Sequence, residues 1–182
     1  MVMITELNAF QLQFGIMIAE RRSCVKVAAG QAPRGIDKRQ SNFSLHVHGV
    51  LGEIAVAALL GVKIDTSVTV YGDSGHDLVY RGHTIQVKTN SSQGPTLYFY
   101  VPEKHKMISD VGILTQPLSM TQMEIVGWIT REKFQKLCEP VNFGYRTNYG
   151  VPSTQLDAPE HLIHYLDALG EKPVFNNKEE TE

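Results

Sequence analysis

Features that assign a chain to a familiar class are scarce in this 182-residue sequence. It has only two cysteines, Cys24 and Cys138, which lie far apart in sequence and lack metal-site spacing. Free thiols in a reducing cytoplasm are therefore expected. No uncharged apolar run approaches the ~18 residues that suggest a membrane span. Glu6 stands where a signal peptide carries basic residues, which argues against export. We expect a cytoplasmic protein with no membrane partner.

An excess of positive charge is also missing, since the formal net charge is −2. This excludes a globally basic nucleic-acid binder, but the charge is uneven. Residues 20–40 hold six basic and two acidic residues, whereas residues 171–182 hold four acidic and two basic ones. A local basic patch suits a protein that meets phosphate on one face, although a solvated helix end and loop would look the same. No glycine-rich phosphate loop is followed by Lys-Ser or Lys-Thr, which argues against an NTPase.

The composition that is present, 42% hydrophobic and 20% charged residues, is that of one globular domain. We place this domain at residues 1–170, followed by an acidic, disordered tail at 171–182. Apolar spacing predicts a helix over 4–28 and a second over 45–61, ended by Gly61. A further helix begins after Thr130 as N-cap. Strand-like segments occur at 63–72, 76–80, 83–89, 96–102, 110–116 and 123–130. This order predicts a mixed α/β fold.

The segment HDLVYRGHTIQVKTN, residues 76–90, carries polar side chains within an apolar hairpin. A two-residue turn at Arg81-Gly82, or a symmetric four-residue loop, places Asp77 opposite Gln86. Lys88 lies two residues beyond Gln86, so alternation puts both on the same face of the strand. Apolar residues of the two strands point to the other face, toward the core: Leu78, Ile85 and Val87.

A carboxylate, an amide and an ammonium group on one sheet face suit Mg²⁺ held beside a phosphate. Asp77 and Gln86 supply oxygen ligands, and the carbonyl of Val87 supplies another. Lys88 can orient or deprotonate an attacking water and offset charge on the phosphate. The alternative is an exposed cross-strand ion pair between Asp77 and Lys88, which would contribute little stability.

The order of Gly-Glu on a helix, then Asp, then Gln-Val-Lys on the next strand resembles the PD-(D/E)XK nuclease superfamily. The resemblance implies an αβββαβ restriction-endonuclease-like core over about 44–137, with a mixed central sheet flanked by helices. It matches Glu53 to the helix acid, Asp77 to the motif Asp, Gln86 to the second acidic position and Lys88 to the lysine. The implied activity is hydrolysis of phosphodiester bonds, most readily in DNA, with Mg²⁺ or Mn²⁺ as cofactor.

The sequence departs from the superfamily pattern at two positions. His76 replaces the Pro of the family name, a change that is common in the superfamily. Gln86 replaces an acid and removes one negative charge, so Glu53 becomes the second charged anchor of the metal, directly or through water. The loss of that charge also favours an alternative, a catalytically idle module of the same fold that binds nucleic acid or protein.

Further contacts to nucleic acid are expected from two loops. The first holds cations that can reach backbone phosphates, and the second holds hydroxyl and amide groups just past the lysine. Cutting both strands of a duplex would also favour a homodimer. A zinc site is disfavoured because His46 and His48 are two residues apart on a predicted helix and point in different directions. The residues of the two loops are Arg34, Lys38 and Arg39, and Thr89, Asn90 and Ser91.

Overall fold

The computed structural model describes residues 3–30, 42–66, 75–91, 96–103, 107–142 and 147–172. They form a mixed α/β fold, as predicted. The helices are α1 (Ala9–Ala28), α2 (Asn42–Leu60), α3 (Arg131–Leu137) and α4 (Leu162–Ala168). The strands are β1 (Met3–Glu6), β2 (Leu78–Tyr80), β3 (His83–Thr89), β4 (Tyr98–Val101), β5 (Val111–Pro117), β6 (Gln122–Thr130), β7 (Glu139–Asn142) and β8 (Thr147–Pro152).

The described strands form two sheets. The larger sheet is mixed, in the order β1-β6-β5-β3-β2, with β3 and β5 parallel and the other neighbours antiparallel. The smaller sheet is antiparallel, in the order β4-β8-β7. The segment predicted as a strand over 63–72 is not a strand at 63–66, and its remaining residues lie outside the described ranges.

Apolar side chains cover the larger sheet on both faces. On one face Ile85 and Val87 of β3 join a core with Val56 and Ala57 of α2. The other face contributes Leu114 and Ile129 to a core shared with the smaller sheet and α3: Phe99, Val101, Phe134 and Val151. Because successive side chains of a strand alternate, Gln86 and Lys88 belong to the face opposite Ile85 and Val87.

The predicted helix over 4–28 is wrong at its beginning. Residues 3–6 are a strand that pairs with β6, and the helix begins only after Asn8. Asn8 and Gln11 form a capping box, with side-chain to backbone hydrogen bonds of 2.9 Å in both directions. The cap satisfies amide groups that the first helical turn leaves unpaired. The apolar spacing that includes Ile4 and Leu7 therefore combines a strand with a helix.

Other local predictions are confirmed. Gly61 ends α2 with a φ of +66°, a left-handed conformation that glycine adopts readily. Thr130 caps α3 by accepting a hydrogen bond from the amide of Lys133. Both cysteines are free, with Cys24 exposed and Cys138 buried. In the part of the chain that the structure describes, no helix is long and apolar enough to cross a membrane.

Candidate metal centre

The hairpin has the register that the sequence predicts. Tyr80 pairs with His83 and Leu78 with Ile85. The turn residues Arg81 and Gly82 have φ values of +48° and +81°. Two consecutive left-handed residues match the strand twist in a type I′ turn. The paired register ends at Leu78 and Ile85. Asp77 lies just outside β2, and its amide donates to the carbonyl oxygen of Ile85 at 2.8 Å, so the predicted pairing of Asp77 with Gln86 is not part of the ladder.

The carboxylate of Asp77 is held beside the backbone of β3. Its Oδ2 accepts a hydrogen bond from the amide of Val87 at 2.7 Å. Such a bond to a charged acceptor is short and strong, so it fixes the carboxylate next to the Val87 peptide. The structure therefore brings together Asp77 and Val87, two of the predicted metal ligands.

Gln86 is buried, with only 8% of its surface exposed. Its Oε1 has no hydrogen-bond partner among the described residues. An unsatisfied buried polar atom costs about 1–3 kcal/mol. A hard cation is a ligand that an amide oxygen suits, and this oxygen is buried, outside the lining of the cleft beside Asp77.

Lys88 is half-buried and follows Gln86 on the same side of β3. Among the described residues it makes no ion pair and no hydrogen bond. The alternative of a cross-strand ion pair between Asp77 and Lys88 is therefore wrong.

Glu53 lies on α2 within a run of buried residues, 50–57, and is 8% exposed itself. A carboxylate in such surroundings requires a positive partner, and Arg22 of α1 provides it. Arg22 Nη1 donates to both oxygens of Glu53, at 2.9 and 3.0 Å. Arg22 Nη2 donates to the backbone carbonyl oxygen of Asp65 at 3.0 Å.

The electrostatics link Arg22 to the hairpin as well. Burial alone would lower the pKa of Arg22, but the hydrogen bond and charge of Glu53 outweigh it and raise that pKa. The charges of Asp77 and Asp65 act in the same direction. Arg22, Glu53 and Asp77 thus share one electrostatic neighbourhood, although they come from α1, α2 and the hairpin.

A cleft of about 510 Å³ adjoins Asp77. Polar residues on its wall are Lys63, Asp65 and His76, together with Asp77 itself. The volume lies within the range of small-ligand sites. Asp65 connects the cleft to Arg22 through its backbone carbonyl group. The carboxylate of the predicted metal site therefore lies at the wall of a cleft rather than on a flat surface.

The residues predicted to contact nucleic acid are placed only in part. Thr89 Oγ1 lies 2.9 Å from Thr115 Oγ1, and both hydroxyls lie against Gly52 of α2. The hydroxyl group of Thr89 therefore faces the packing between sheet and helix. Asn90 continues the strand, with its amide bonded to the carbonyl oxygen of Thr115 at 2.9 Å. Ser91 follows Asn90 and is half-buried, while the three cations of the first loop, Arg34, Lys38 and Arg39, lie outside the described residues.

The sequence prediction missed Arg22, although its spacing carries a signal. Gly15, Ile18 and Ala19 are buried positions of α1. Arg22 continues this face at the next helical turn, three residues after Ala19 and four after Ile18. A cation at the end of a buried helical face requires an acidic partner, and Glu53 is the acid within the neighbouring buried helix.

The predicted metal ligands are donors of different kinds. Within the described ranges, no group of three or more His, Cys, Asp or Glu residues could hold a metal ion. His46 and His48 both lie on α2, as predicted. The predicted set has two carboxylates, from Asp77 and Glu53, with an amide oxygen and a backbone carbonyl. The structure joins Asp77 to Val87 and Glu53 to Arg22, whereas Gln86 belongs to the face of β3 opposite the one that packs on α2.

Comparisons with known proteins do not assign the chain to a family. No family model matches it, and neither a curated protein nor a solved structure matches it.

Proposed function

We propose that the protein is a metal-dependent nuclease that hydrolyses phosphodiester bonds in DNA, a variant of the PD-(D/E)XK superfamily with Gln in the third motif. One observation carries the proposal. The carboxylate of Asp77 accepts a hydrogen bond from the amide of Val87 on β3. The residue before Val87 on this strand, Gln86, has a buried and unsatisfied side-chain amide oxygen. A hard cation would bind the carboxylate and supply a partner to the amide oxygen.

The proposed site residues have two roles, metal binding and assistance to the attacking water. Asp77, Gln86 and the carbonyl of Val87 would hold Mg²⁺, or Mn²⁺ in its place, with Glu53 as the second acid. When bound, the ion supplies Lewis acidity and lowers the pKa of water. As an ammonium, Lys88 would orient the attacking water and offset negative charge on the phosphate. Its lack of an ion pair among the described residues leaves its ammonium group available for this role. Deprotonation of the water by Lys88 would require its neutral amine form.

The αβββαβ core is part of the proposal, and α2, β2 and β3 would be its first three elements. The next strand in the chain, β4, lies in the smaller sheet, so β5 would follow β3 within the core. β5 pairs with β3 in parallel, which requires a crossover connection. α3 would be the second core helix, but a fourth strand of the larger sheet after α2, β6, precedes it, and the strands after it, β7 and β8, lie in the smaller sheet. The observed order therefore departs from αβββαβ at these points.

The proposed substrate is DNA. We also propose that the protein is cytoplasmic and acts on the duplex as a homodimer. Arg34, Lys38 and Arg39 would contact backbone phosphates, together with Asn90 and Ser91 beyond the catalytic strand.

A second candidate is a module of the same fold that binds nucleic acid or protein without cleavage. Two observations favour it: the neutral Gln86 in place of an acid, and the pairing of Glu53 with Arg22. Both reduce the negative charge available to a metal ion.

A nuclease assay separates the candidates. Linear duplex, circular duplex, single-stranded and branched DNA are incubated with Mg²⁺, Mn²⁺ or EDTA. The wild type is compared with Lys88→Ala and with Lys136→Ala, a control on the exposed side of α3. We expect metal-dependent cleavage that Lys88→Ala loses and Lys136→Ala keeps. Equal inactivity of all three proteins, with DNA binding intact, would support the binding module instead.

A further inference from the structure

We propose that Arg22 is the second cation of the nuclease site, so that the site takes one divalent ion and a guanidinium instead of two divalent ions. In this arrangement Glu53 anchors Arg22 instead of acting as the second acid of the metal, and the metal is held by Asp77, Gln86 and the Val87 carbonyl. Arg22 contacts the phosphate of the substrate. The inference rests on the proposed nuclease function and specifies how its site balances charge.

The contacts of Arg22 hold the guanidinium in one position while leaving donors available. Its three hydrogen bonds go to the two oxygens of Glu53 and to the carbonyl oxygen of Asp65. A guanidinium has five N–H donors, so two are not used by the described residues. The side chain of Arg22 is 25% exposed, compared with 11% for that of Glu53. The cation is therefore the more accessible member of the pair.

The charges at the site favour a single divalent ion. Asp77 and Glu53 are negative, Arg22 and Lys88 are positive, and Gln86 is neutral, so these residues together carry no net charge. One Mg²⁺ adds two positive charges, which a phosphodiester and a hydroxide nucleophile balance. A second Mg²⁺ would leave two positive charges unbalanced in a partly buried site, where repulsion is strong.

The position of Arg22 requires the packing of two helices. Gly15 lies one helical turn before Ile18 on α1, and a methyl group there would lie 2.7 Å from Leu51 of α2. The absence of a side chain at Gly15 lets the two helices approach closely. Further along the same face, this approach brings Arg22 to Glu53. The guanidinium is thus held by the core of the protein and not by a surface loop.

The test measures Mn²⁺ binding by titration calorimetry without DNA, and cleavage at saturating Mn²⁺ on the DNA that the wild type cuts. We expect the wild type to bind one ion. Arg22→Met should bind Mn²⁺ about tenfold more tightly, because a nearby positive charge is removed. The same variant should cleave about 100-fold more slowly, because the phosphate loses its cation. A purely structural role would weaken both properties. Arg21→Met, which removes an exposed neighbouring charge, should change neither.

A paired variant covers the case in which Arg22→Met does not fold. Arg22→Gln combined with Glu53→Gln leaves no unpaired buried charge. It should still bind one Mn²⁺ with near wild-type affinity and should cleave about 100-fold more slowly. Two bound ions in the wild type, or loss of Mn²⁺ binding in the paired variant, would overturn the inference while the nuclease function stands. A wild type that neither binds Mn²⁺ nor cleaves DNA would overturn the proposed function and this inference together.

Discussion

Thr84, Gln86 and Lys88 lie on one face of β3, and their polar groups differ in the number of hydrogen-bond partners that they have. At the beginning of the strand, Asp110 accepts hydrogen bonds from both the amide and the hydroxyl of Thr84, at 2.9 and 3.1 Å. Arg131 and Lys172 also contact this carboxylate, at 2.6 and 2.9 Å. Farther along the strand, Gln86 Oε1 has no partner in the described part of the chain.

The comparison shows that the fold satisfies the polar groups at the beginning of β3 and leaves the amide oxygen of Gln86, farther along, without a partner among the described residues. Asp110 sits in a closed network that joins the beginning of β3 to α3 and to the segment after α4. Gln86 and Lys88, two and four residues beyond Thr84, have no such network among the described residues. We propose a structural role for the Asp110 cluster and a functional role for Asp77, Gln86 and Lys88.

The largest expected effect is a difference in DNA cleavage between variants of Asp77 and variants of Asp110. Asp77→Asn should reduce metal-dependent cleavage by at least about 100-fold, because it removes the negative charge of the metal site. The amide oxygen of Asn can still accept from Val87, so the hairpin is retained. Asp110→Asn should cleave at nearly the wild-type rate per folded molecule. Equal losses in the two variants, measured as kcat on the same DNA, would remove the distinction.

Substitutions in the Asp110 cluster should lower the stability of the fold, whereas substitution of Lys88 should barely change it. Asp110→Ala removes a charged acceptor shared by Thr84, Arg131 and Lys172, which should lower the free energy of unfolding by about 2 kcal/mol. For a domain of this size, the melting temperature should fall by roughly 4–8 °C. Lys88→Ala should change the free energy of unfolding by less than about 0.5 kcal/mol. Urea unfolding of the metal-free proteins measures both, and a larger loss in Lys88→Ala would contradict the assignment.

The same network predicts a dependence on pH. Burial alone would raise the pKa of Asp110, but hydrogen bonds from Thr84 and Lys172 outweigh it and lower that pKa. A lowered pKa in the folded state contributes stability at neutral pH that is lost as the pH falls through the folded value. Between pH 7 and pH 3, the wild type should therefore lose more unfolding free energy than Asp110→Asn. Parallel losses in the two proteins would show that the carboxylate is not stabilised.

The smallest expected effect concerns the unsatisfied amide. Gln86→Leu replaces it with an apolar side chain of similar size, which should stabilise the metal-free protein by about 1 kcal/mol. The same substitution should weaken Mn²⁺ binding, because it removes an oxygen ligand. Gln86→Glu should instead tighten Mn²⁺ binding by adding a charge. Thermal melting with and without Mn²⁺ measures these effects, and destabilisation of metal-free Gln86→Leu would show that the amide has a structural partner.

The local parts of the fold could be predicted from sequence, and the non-local parts could not. Arg81-Gly82 and strand alternation were sufficient for the hairpin register, because a two-residue turn determines which residues face each other. The strand nature of residues 3–6 depends on pairing with β6, more than a hundred residues later. The Arg22–Glu53 pair depends on how α1 packs on α2. The placement of β4 in a separate sheet likewise follows from its pairing with β8 and not from its own composition.

The most direct test of the account is a calorimetric titration of Mg²⁺ into the wild type, Asp77→Asn and Asp110→Asn. We expect the wild type and Asp110→Asn to bind the ion with similar affinity and Asp77→Asn to bind none. Binding that survives in Asp77→Asn, or that is lost in Asp110→Asn, would contradict the claim that the Gln86 end of β3 is the metal site.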